Sequence, residues 1–345
     1  MTLPPGQPPE AGPAMFSFLT SAYRCADTLG RTIDAVRWQT RDDWELVVVD
    51  NGNDPAVAAV VKPHLADHRI RLMRQANRGP TGGVMAAARV ASGRYLVVLN
   101  ADDAVTADFC ERLGTLLDSA PQVAAVTCDA HIFTDPGMRL GRRSYLESAG
   151  LRIRPEPGRA LRLAEIIDGP CPYYSAAVRR DVWDAVGGLE CGTPIVDDLA
   201  LWLRVVGAGY DVRMLPDRLG LFRIEGGSIS RPIEAGRAEA FEAQREQALV
   251  EAARASGAPE DLAALSRVLR RLRYFQAIRR ARQAFADGDV VAARRHARAA
   301  FDARHTLRSG LILLALTVAP RLLGRVHPSK QWLHARLRGA PVRTS

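Results

Sequence analysis

Two short acidic clusters in the sequence carry side chains that could do chemistry. The first, Asn100-Ala101-Asp102-Asp103, directly follows the apolar run 95–99. That run predicts a strand buried on both faces of a sheet, so the cluster should lie just past its carboxyl end, where open α/β sheets bind ligands. Carboxylate and amide groups there would suit a hard divalent cation and a ribose. An aspartate that merely caps a helix starting near Val105 explains the same residues.

The second cluster, Asp197-Asp198, opens the apolar, helix-like segment 199–204. Negative charge at a helix N-terminus is favourable by itself, which is enough to explain Asp197. The second carboxylate, Asp198, indicates a group that takes a proton from a substrate.

The segments around both clusters alternate between strand and helix patterns. Strands are predicted at 16–20, 46–49, 70–73, 95–99 and 123–128, and helices at 28–39, 56–65, 84–91, 109–117 and 180–186. This order predicts right-handed βαβ units and an α/β fold. The turn from Asn77 to Gly83 opens one of the helices. Its glycines would let backbone N–H groups approach an anion. Glycines are also common in ordinary turns, which explains them equally well.

Composition narrows the class of protein. The 345 residues, 47% of them hydrophobic, suffice for one large α/β domain with an appendage, and the net charge is +9. Basic charge concentrates after residue 260 and fits an anionic membrane surface or nucleic acid. Nucleic acid is disfavoured because the basic stretches lack interleaved aromatics and known signatures. Five widely spaced cysteines without metal-type spacing indicate the reduced thiols of a cytoplasmic protein.

The two ends of the chain differ from its middle. Residues 1–14 predict a disordered lead-in rather than a signal peptide. Residues 231–345 predict a helical C-terminal region with breaks at 257–259 and 287–289, where Asp289 is the expected N-cap of the next helix. The apolar run 311–319 is shorter than the roughly 18 to 20 residues of a membrane span. Its flanking arginines are typical of a helix at a membrane interface, and packing as ordinary core is the alternative.

Taken in order, these segments resemble glycosyltransferase family 2. The resemblance covers about 16–230 and rests on six motifs: F-S-F-L-T-S-A-Y-R-C-A-D-T-L, V-V-V-D-N-G-N, N-R-G-P-T-G-G, L-N-A-D-D, V-D-D-L-A-L-W-L-R and F-R-I-E-G-G-S-I-S. It implies an α/β protein of the GT-A fold at 15–230, Rossmann-like, with a mostly parallel central sheet flanked by helices, and a C-terminal α-helical extension at 231–345. It also implies an inverting transferase that uses a nucleotide-sugar.

The resemblance assigns roles to individual residues. Asp198, beside Asp197, would be the general base, and Asp102 with Glu225 would hold Mg²⁺ or Mn²⁺. The acceptor would be a glycan or a lipid-linked glycan in cell-surface glycan or polysaccharide biosynthesis, with no nucleic-acid partner. The enzyme would be cytoplasmic, and peripheral at the inner face of the plasma membrane if its C-terminal helices bind there. The nucleotide-sugar would be bound by Thr20, Ala22, Tyr23, Asp50, Asn51, Asn77, Gly79, Gly83, Asn100 and Ala101.

Four positions depart from the family pattern. Asn100 replaces the first aspartate of D-x-D, Asn51 replaces the second aspartate of D-D-G-S, Val84-Met85 replaces an Arg-Asn pair, and Glu225 replaces a histidine. Val84 removes a cation. This change and Asn100 keep open a non-catalytic nucleotide-sugar or glycan-binding relative. A nucleotidyltransferase is the weaker alternative, because no Gly-rich, Arg- and Lys-bearing loop follows the first strand.

Overall fold

A computed structural model describes residues 15–134, 138–150, 155–224 and 235–318. Within these residues the chain forms a nine-stranded sheet with packed helices, followed by a series of C-terminal helices. The strands are β1 (Phe16–Ala22), β2 (Trp44–Asn51), β3 (Ile70–Gln75), β4 (Tyr95–Val98), β5 (Ala104–Val105), β6 (Val123–Thr134), β7 (Arg139–Ser144), β8 (Ala177–Arg179) and β9 (Asp211–Arg223). The helices are α1 (Ala26–Arg37), α2 (Pro55–Val61), α3 (Gly79–Val90), α4 (Phe109–Ser119), α5 (Tyr145–Ser148), α6 (Leu163–Asp168), α7 (Arg180–Val186), α8 (Asp197–Gly207), α9 (Ala235–Ser256), α10 (Pro259–Ala286), α11 (Val290–Ala303) and α12 (Leu307–Val318).

The sheet has the strand order β3-β2-β1-β4-β8-β6-β9-β5, and β7 pairs with β6. The run β3-β2-β1-β4 is parallel, as predicted. Beyond β4 the sheet is mixed, since β8 is antiparallel to both neighbours and β9 is parallel to β6 but antiparallel to β5. The α/β class is confirmed, with the parallel pairing concentrated in the half that carries the first acidic cluster.

Two helix starts predicted from the sequence are wrong. Helix α3 begins at Gly79 rather than at Val84, so Thr81 and Gly83 lie within the helix rather than in the turn before it. The sequence places a helix start near Val105, but β5 lies there and pairs with β9, and α4 begins only at Phe109. Asp103 therefore does not cap a helix. The backbone of β5 finds its hydrogen-bond partners more than a hundred residues further along the chain, and no local propensity reports such a pairing.

A buried glutamate fixes the strands that support the first acidic cluster. Glu45 of β2 accepts hydrogen bonds from Ser17 Oγ (2.6 Å), Ser92 Oγ (2.9 Å) and Gly93 N (3.0 Å), and it pairs with Arg71. Burial alone would raise the pKa of this carboxyl, but the hydrogen bonds and the Arg71 charge outweigh burial and lower it. An ionised side chain thus ties β2 to β1 and to the turn that enters β4.

The chain divides into two compact units, Met1–Leu265 and Ser266–Ser345. Helix α9 belongs to the first unit and packs on α8. The domain boundary predicted at residue 230 falls within 225–234, outside the described residues, and stays a prediction. The lead-in predicted at 1–14 lies outside them as well.

The second unit has a small core between α10, α11 and α12. The predicted cap is confirmed, because Asp289 accepts a hydrogen bond from Ala292 N at 2.8 Å. One face of α12 packs against the other two helices through Ile312, Leu313 and Leu316. The opposite face exposes four apolar residues: Leu307 (89%), Leu311 (64%), Leu314 (58%) and Val318 (72%).

No helix in the described part of the chain has both the length and the apolar character needed to cross a bilayer. The remainder of the predicted apolar run, from residue 319, lies outside that part.

Candidate active site

Three parallel strands bring most of the predicted donor-binding residues to one edge of the sheet. Ala22 at the end of β1 lies opposite Asp50 at the end of β2. Thr20 Oγ1 of β1 donates to Leu99 O, just after β4, at 2.9 Å. Residues 20–23, 50–51 and 100–102 therefore meet at the carboxyl ends of adjacent strands, as the sequence predicted. We call this part of the sheet the donor edge.

At this edge Tyr23 has an exposed aromatic ring. It is 44% exposed and lies so close over Gly52 that a Cβ there would approach the ring to 2.9 Å. The Arg24 guanidinium lies 5.1 Å from the ring centroid. A flat ring held in this way can stack with a nucleobase.

The Asp50 carboxylate, by contrast, is fully buried. Its Oδ2 accepts from Arg74 Nε at 2.9 Å, and its Oδ1 accepts from Asp54 N at 2.9 Å. Asp50 therefore positions the loop after β2 and holds an exposed arginine at the edge.

Asn51 joins β2 to the Asn77–Gly83 loop, whose residues from Gly79 onward already form the start of α3. Its Oδ1 accepts from Gln75 Nε2 (2.8 Å) and Arg78 N (3.1 Å), and its Nδ2 donates to Gly79 O (2.8 Å). A carboxylate could not donate to that carbonyl. The departure from the family's aspartate at this position thus has a structural role.

Two glycines shape the same loop. Gly79 has φ +73°, and its N–H donates to Asn77 Oδ1 at 2.9 Å. A Cβ on Gly83 would lie 2.0 Å from Ser21 Oγ, so α3 begins pressed against the end of β1. The start of α3 is therefore fixed against the donor edge, and a helix N-terminus suits an anion.

In the first acidic cluster the side chains have different surroundings. Asp103 is buried and accepts hydrogen bonds from Arg223 N (2.7 Å) and from the Tyr174 hydroxyl. Burial, followed by the charge of Asp102, raises the pKa of Asp103 well above its usual value. Asp102 is half-buried, and Asn100 is exposed and hydrogen-bonds to Asp103. Asp103 is therefore a positioning residue, and Asp102 is the less buried of the two carboxylates.

The described residues contain no group of three or more His, Cys, Asp or Glu side chains that could hold a metal ion. Glu225, the second predicted ligand, lies outside them. Mg²⁺ in phosphate-transfer sites is commonly bound by one or two carboxylates together with substrate phosphates and water. The single carboxylate of Asp102 fits that arrangement.

The second acidic cluster forms the first turn of α8. Asp198 Oδ1 accepts from Leu199 N at 2.7 Å, and Cys171 Sγ lies 3.9 Å from Asp198 Oδ2. Burial, followed by the negative charge of Asp197, raises the pKa of Asp198 to about 6. The carboxylate is therefore more basic than an ordinary aspartate and still largely ionised at neutral pH.

One hydrogen bond connects the two parts of the site. Thr81 Oγ1, from the first turn of α3, donates to Asp197 Oδ2 at 2.5 Å. Burial raises the pKa of Asp197, and the bond from Thr81 opposes that rise. The loop at the donor edge and the Asp197-Asp198 pair thus lie side by side.

Sequence reasoning missed several residues of this site. Thr81 lies inside the N-R-G-P-T-G-G motif, in which only the glycines carry a recognisable signal. Cys171, Tyr174 and Tyr145 lie in segments with no regular pattern, so no signal marked them. The replaced pair Val84-Met85 serves packing: Val84 is buried, and Met85 Sδ accepts from Leu189 N at 3.4 Å.

Comparison with known proteins identifies the relatives of this chain. Residues 17–186 match the family described as Glycosyl transferase family 2. The succinoglycan biosynthesis protein ExoO of Rhizobium meliloti (strain 1021) is 37% identical over 111 residues, which make up 32% of this chain and 32% of that protein. The chain thus spans about a third of the length of that relative.

Two solved structures share the fold. S. aureus TarS 1-349 in complex with UDP-GlcNAc has a TM-score of 0.61 at 12% identity, covering 96% of this chain and 94% of that one. The mannosyltransferase PcManGT from Pyrobaculum calidifontis, in complex with GDP-Man and Mn²⁺, has a TM-score of 0.52 at 18% identity, covering 92% of this chain and 86% of that one. The predicted GT-A fold is confirmed by this likeness.

The hydrogen bonds of Asn51 generate a testable prediction. Asn51→Asp places a carboxylate against Gly79 O and should destabilise the protein by about 1–3 kcal/mol. It should also weaken the binding of UDP, because the Asn77–Gly83 loop loses its support. Thermal unfolding and calorimetry with UDP measure the two effects.

Asn53→Asp is the matched control, since Asn53 is exposed and its positive φ of 54° is one that aspartate also adopts. It should leave both measurements near wild type. An unchanged melting temperature and UDP affinity in Asn51→Asp would show that the loop does not depend on the amide.

Proposed function

Because this chain belongs to glycosyl transferase family 2, we propose that it transfers a sugar from a nucleoside diphosphate sugar to an acceptor hydroxyl, with inversion at the anomeric carbon. The observation that carries the proposal is the Asp198 carboxylate. Its pKa is raised to about 6, and it lies next to the loop that suits a diphosphate. A base and an anion-binding loop side by side are what such a transfer requires.

Donor binding would use the edge formed by β2, β1 and β4. The exposed ring of Tyr23 would stack with the nucleobase, and Arg24 beside it would contribute positive charge. The diphosphate would lie against the α3 N-terminus, whose approach requires Gly83. Binding on this edge would leave the sugar directed towards α8.

In the reaction, Asp198 would take the proton of the acceptor hydroxyl as its oxygen attacks the anomeric carbon. The new glycosidic bond forms while the bond from that carbon to the diphosphate oxygen breaks, and the nucleoside diphosphate leaves. A single displacement of this kind inverts the anomeric carbon. General-base assistance contributes on the order of 10²- to 10⁴-fold to the rate.

Asp102 would hold Mg²⁺ or Mn²⁺ together with oxygens of the donor diphosphate. The bound ion would neutralise charge that develops on the leaving group. The structure of PcManGT, a mannosyltransferase that shares the fold, contains Mn²⁺, which supports this assignment.

The acceptor would be a glycan or a lipid-linked glycan, and the pathway would be the biosynthesis of cell-surface glycan or polysaccharide. The similarity to a succinoglycan biosynthesis protein supports that setting. A cytoplasmic enzyme at the inner face of the plasma membrane would meet such acceptors.

The second unit supports a membrane-surface location. Residues 266–318 contain twelve arginines, three aspartates and no lysine or glutamate, so the unit carries strong positive charge. The exposed apolar face of α12 adds side chains that a headgroup region would bury. Nucleic acid would match the positive charge but would leave the apolar face of α12 in water. An anionic bilayer matches both the charge and the apolar face.

Replacing the base tests the proposal directly. Asp198→Asn cannot accept a proton, so release of nucleoside diphosphate from a panel of nucleotide-sugars should fall at least 100-fold. UDP affinity and melting temperature should stay near wild type because asparagine is isosteric. Asp184→Asn, an exposed change on α7, is the control and should retain full turnover.

The wild-type pH profile provides a second readout. Because the pKa of Asp198 is about 6, kcat/KM should fall tenfold per pH unit once the pH is well below that value. Asp198→Asn with wild-type turnover would reject this base. Wild-type protein that binds nucleotide-sugars but transfers nothing would favour the non-catalytic relative.

Replacing Asp102, the proposed metal ligand, should change UDP binding, which can be measured without turnover. Mn²⁺ should strengthen UDP binding to the wild type roughly tenfold or more and should have no effect on Asp102→Asn. Asp27→Asn is the matched control, because Asp27 and Asp102 both act electrostatically on the Cys25 thiol. Calorimetry with and without Mn²⁺ decides the point, and equal Mn²⁺ dependence in wild type and Asp102→Asn would reject the ligand.

The membrane proposal predicts a loss of lipid binding when the apolar face of α12 is charged. Leu311→Glu with Leu314→Glu should lower binding to vesicles of phosphatidylglycerol and phosphatidylcholine by roughly tenfold or more. Sedimentation with vesicles measures binding, and activity on soluble acceptors should persist. Leu65→Glu, at a 43% exposed site in the first unit, is the control. Equal binding by all three proteins would exclude α12 as the contact.

A further inference from the structure

An aromatic cluster lies beside the proposed base and takes no part in the proposed proton transfer. Tyr173 is buried at its centre, and Tyr145, Tyr174 and Phe222 surround it, each half-buried. Ring centroids are 5.3 Å apart for Tyr145 and Tyr173, 5.3 Å for Tyr145 and Phe222, and 4.8 Å for Tyr173 and Tyr174. The three outer rings therefore form one partly exposed apolar surface.

Contacts connect this surface to the carboxylates on both sides. Cys171, which lies 3.9 Å from Asp198 Oδ2, is separated from Tyr173 by a single residue. On the other side, the hydroxyl of Tyr174 donates to Asp103. The rings thus lie between Asp198 and the end of β4, where an acceptor would have to approach the sugar of a bound donor.

The backbone of Tyr145 is held firmly. Ser144 caps α5 by accepting from Glu147 N (3.2 Å), and Glu147 Oε2 accepts from Ser144 N (2.9 Å). Leu146 N donates to Asp129 Oδ1 at 3.1 Å. A ring on so constrained a turn is pre-organised for contact with a ligand.

The two outer tyrosines differ in their hydroxyl groups. Tyr174 uses its hydroxyl on Asp103, whereas that of Tyr145 makes no hydrogen bond to any residue that the structure describes. Burial, followed by the neighbouring Cys171 and Asp198, raises the pKa of Tyr145, and the charge of Arg245 opposes that rise. The Tyr145 hydroxyl therefore stays protonated and can donate to a ligand.

We propose that Tyr145, with the exposed edges of Tyr174 and Phe222, binds a pyranose ring of the acceptor, so that the acceptor is a glycoside rather than a peptide hydroxyl or a polyol phosphate. This inference rests on the proposed function, which brings the acceptor to Asp198. A pyranose has apolar C–H faces and a rim of hydroxyl groups. The C–H face packs on an electron-rich aromatic ring, and the rim meets the Tyr145 hydroxyl.

Binding can be measured without turnover. Asp198→Asn protein saturated with UDP is titrated with methyl glucoside, methyl galactoside and methyl N-acetylglucosaminide. Saturation-transfer NMR measures the binding of each. At least one pyranoside should bind, and adding Tyr145→Leu should weaken it roughly tenfold. Adding Tyr145→Phe, which keeps the ring packing, should weaken it about threefold. UDP affinity should not change, and Tyr210→Leu, at a half-buried tyrosine before β9, should have no effect.

Glycerol phosphate and a serine-containing peptide are the competing probes. Preferential binding of either one overturns the proposal, as does pyranoside binding that is equal in all the Tyr145 proteins. If Tyr145→Leu lowers the melting temperature, the decision rests on pyranoside binding with and without Tyr145→Phe. Because the titration needs no catalysis, its outcome is independent of whether Asp198 proves to be the base.

Discussion

The burial of one carboxyl group, that of Asp103, holds the active-site edge together. Its side chain accepts from the backbone of Arg223 in β9 and from Tyr174, and its backbone oxygen accepts from Thr32 Oγ1 of α1 at 2.7 Å. A buried carboxyl is unfavourable unless donors surround it, so these segments must meet where it lies. That requirement sets the strand end that carries Asp102 and the segment that carries the aromatic cluster.

Much of the first unit could be predicted because its signals are local. Buried parallel strands appear as short apolar runs, and the residues directly after β1, β2 and β4 meet because parallel strands end at one edge. Contacts between distant segments have no such signal. Asp103 looks like a helix cap in sequence, and only the pairing of β5 with β9 shows that it is not. The Tyr145 and Tyr174 rings pack on Tyr173 through tertiary contacts that no period of the sequence encodes.

The departures from the family pattern make physical sense together. Asn51 must donate to Gly79 O, which an aspartate cannot do. Asn100 hydrogen-bonds to Asp103, whereas a third carboxylate beside Asp102 and Asp103 would add like-charge repulsion to a buried acid. Amides at these positions keep the hydrogen bonds and reduce the local negative charge.

Electrostatic interactions also connect the donor edge to the proposed base. The pKa of Asp198 is raised partly by the negative charge of Asp197, so its basicity depends on Asp197 staying ionised. Burial works against that ionisation, and the hydrogen bond from Thr81 supports it. Thr81 lies 116 residues away in sequence, in the loop that Asn51 holds in place. The fold thus makes the basicity of Asp198 depend on the position of the Asn77–Gly83 loop.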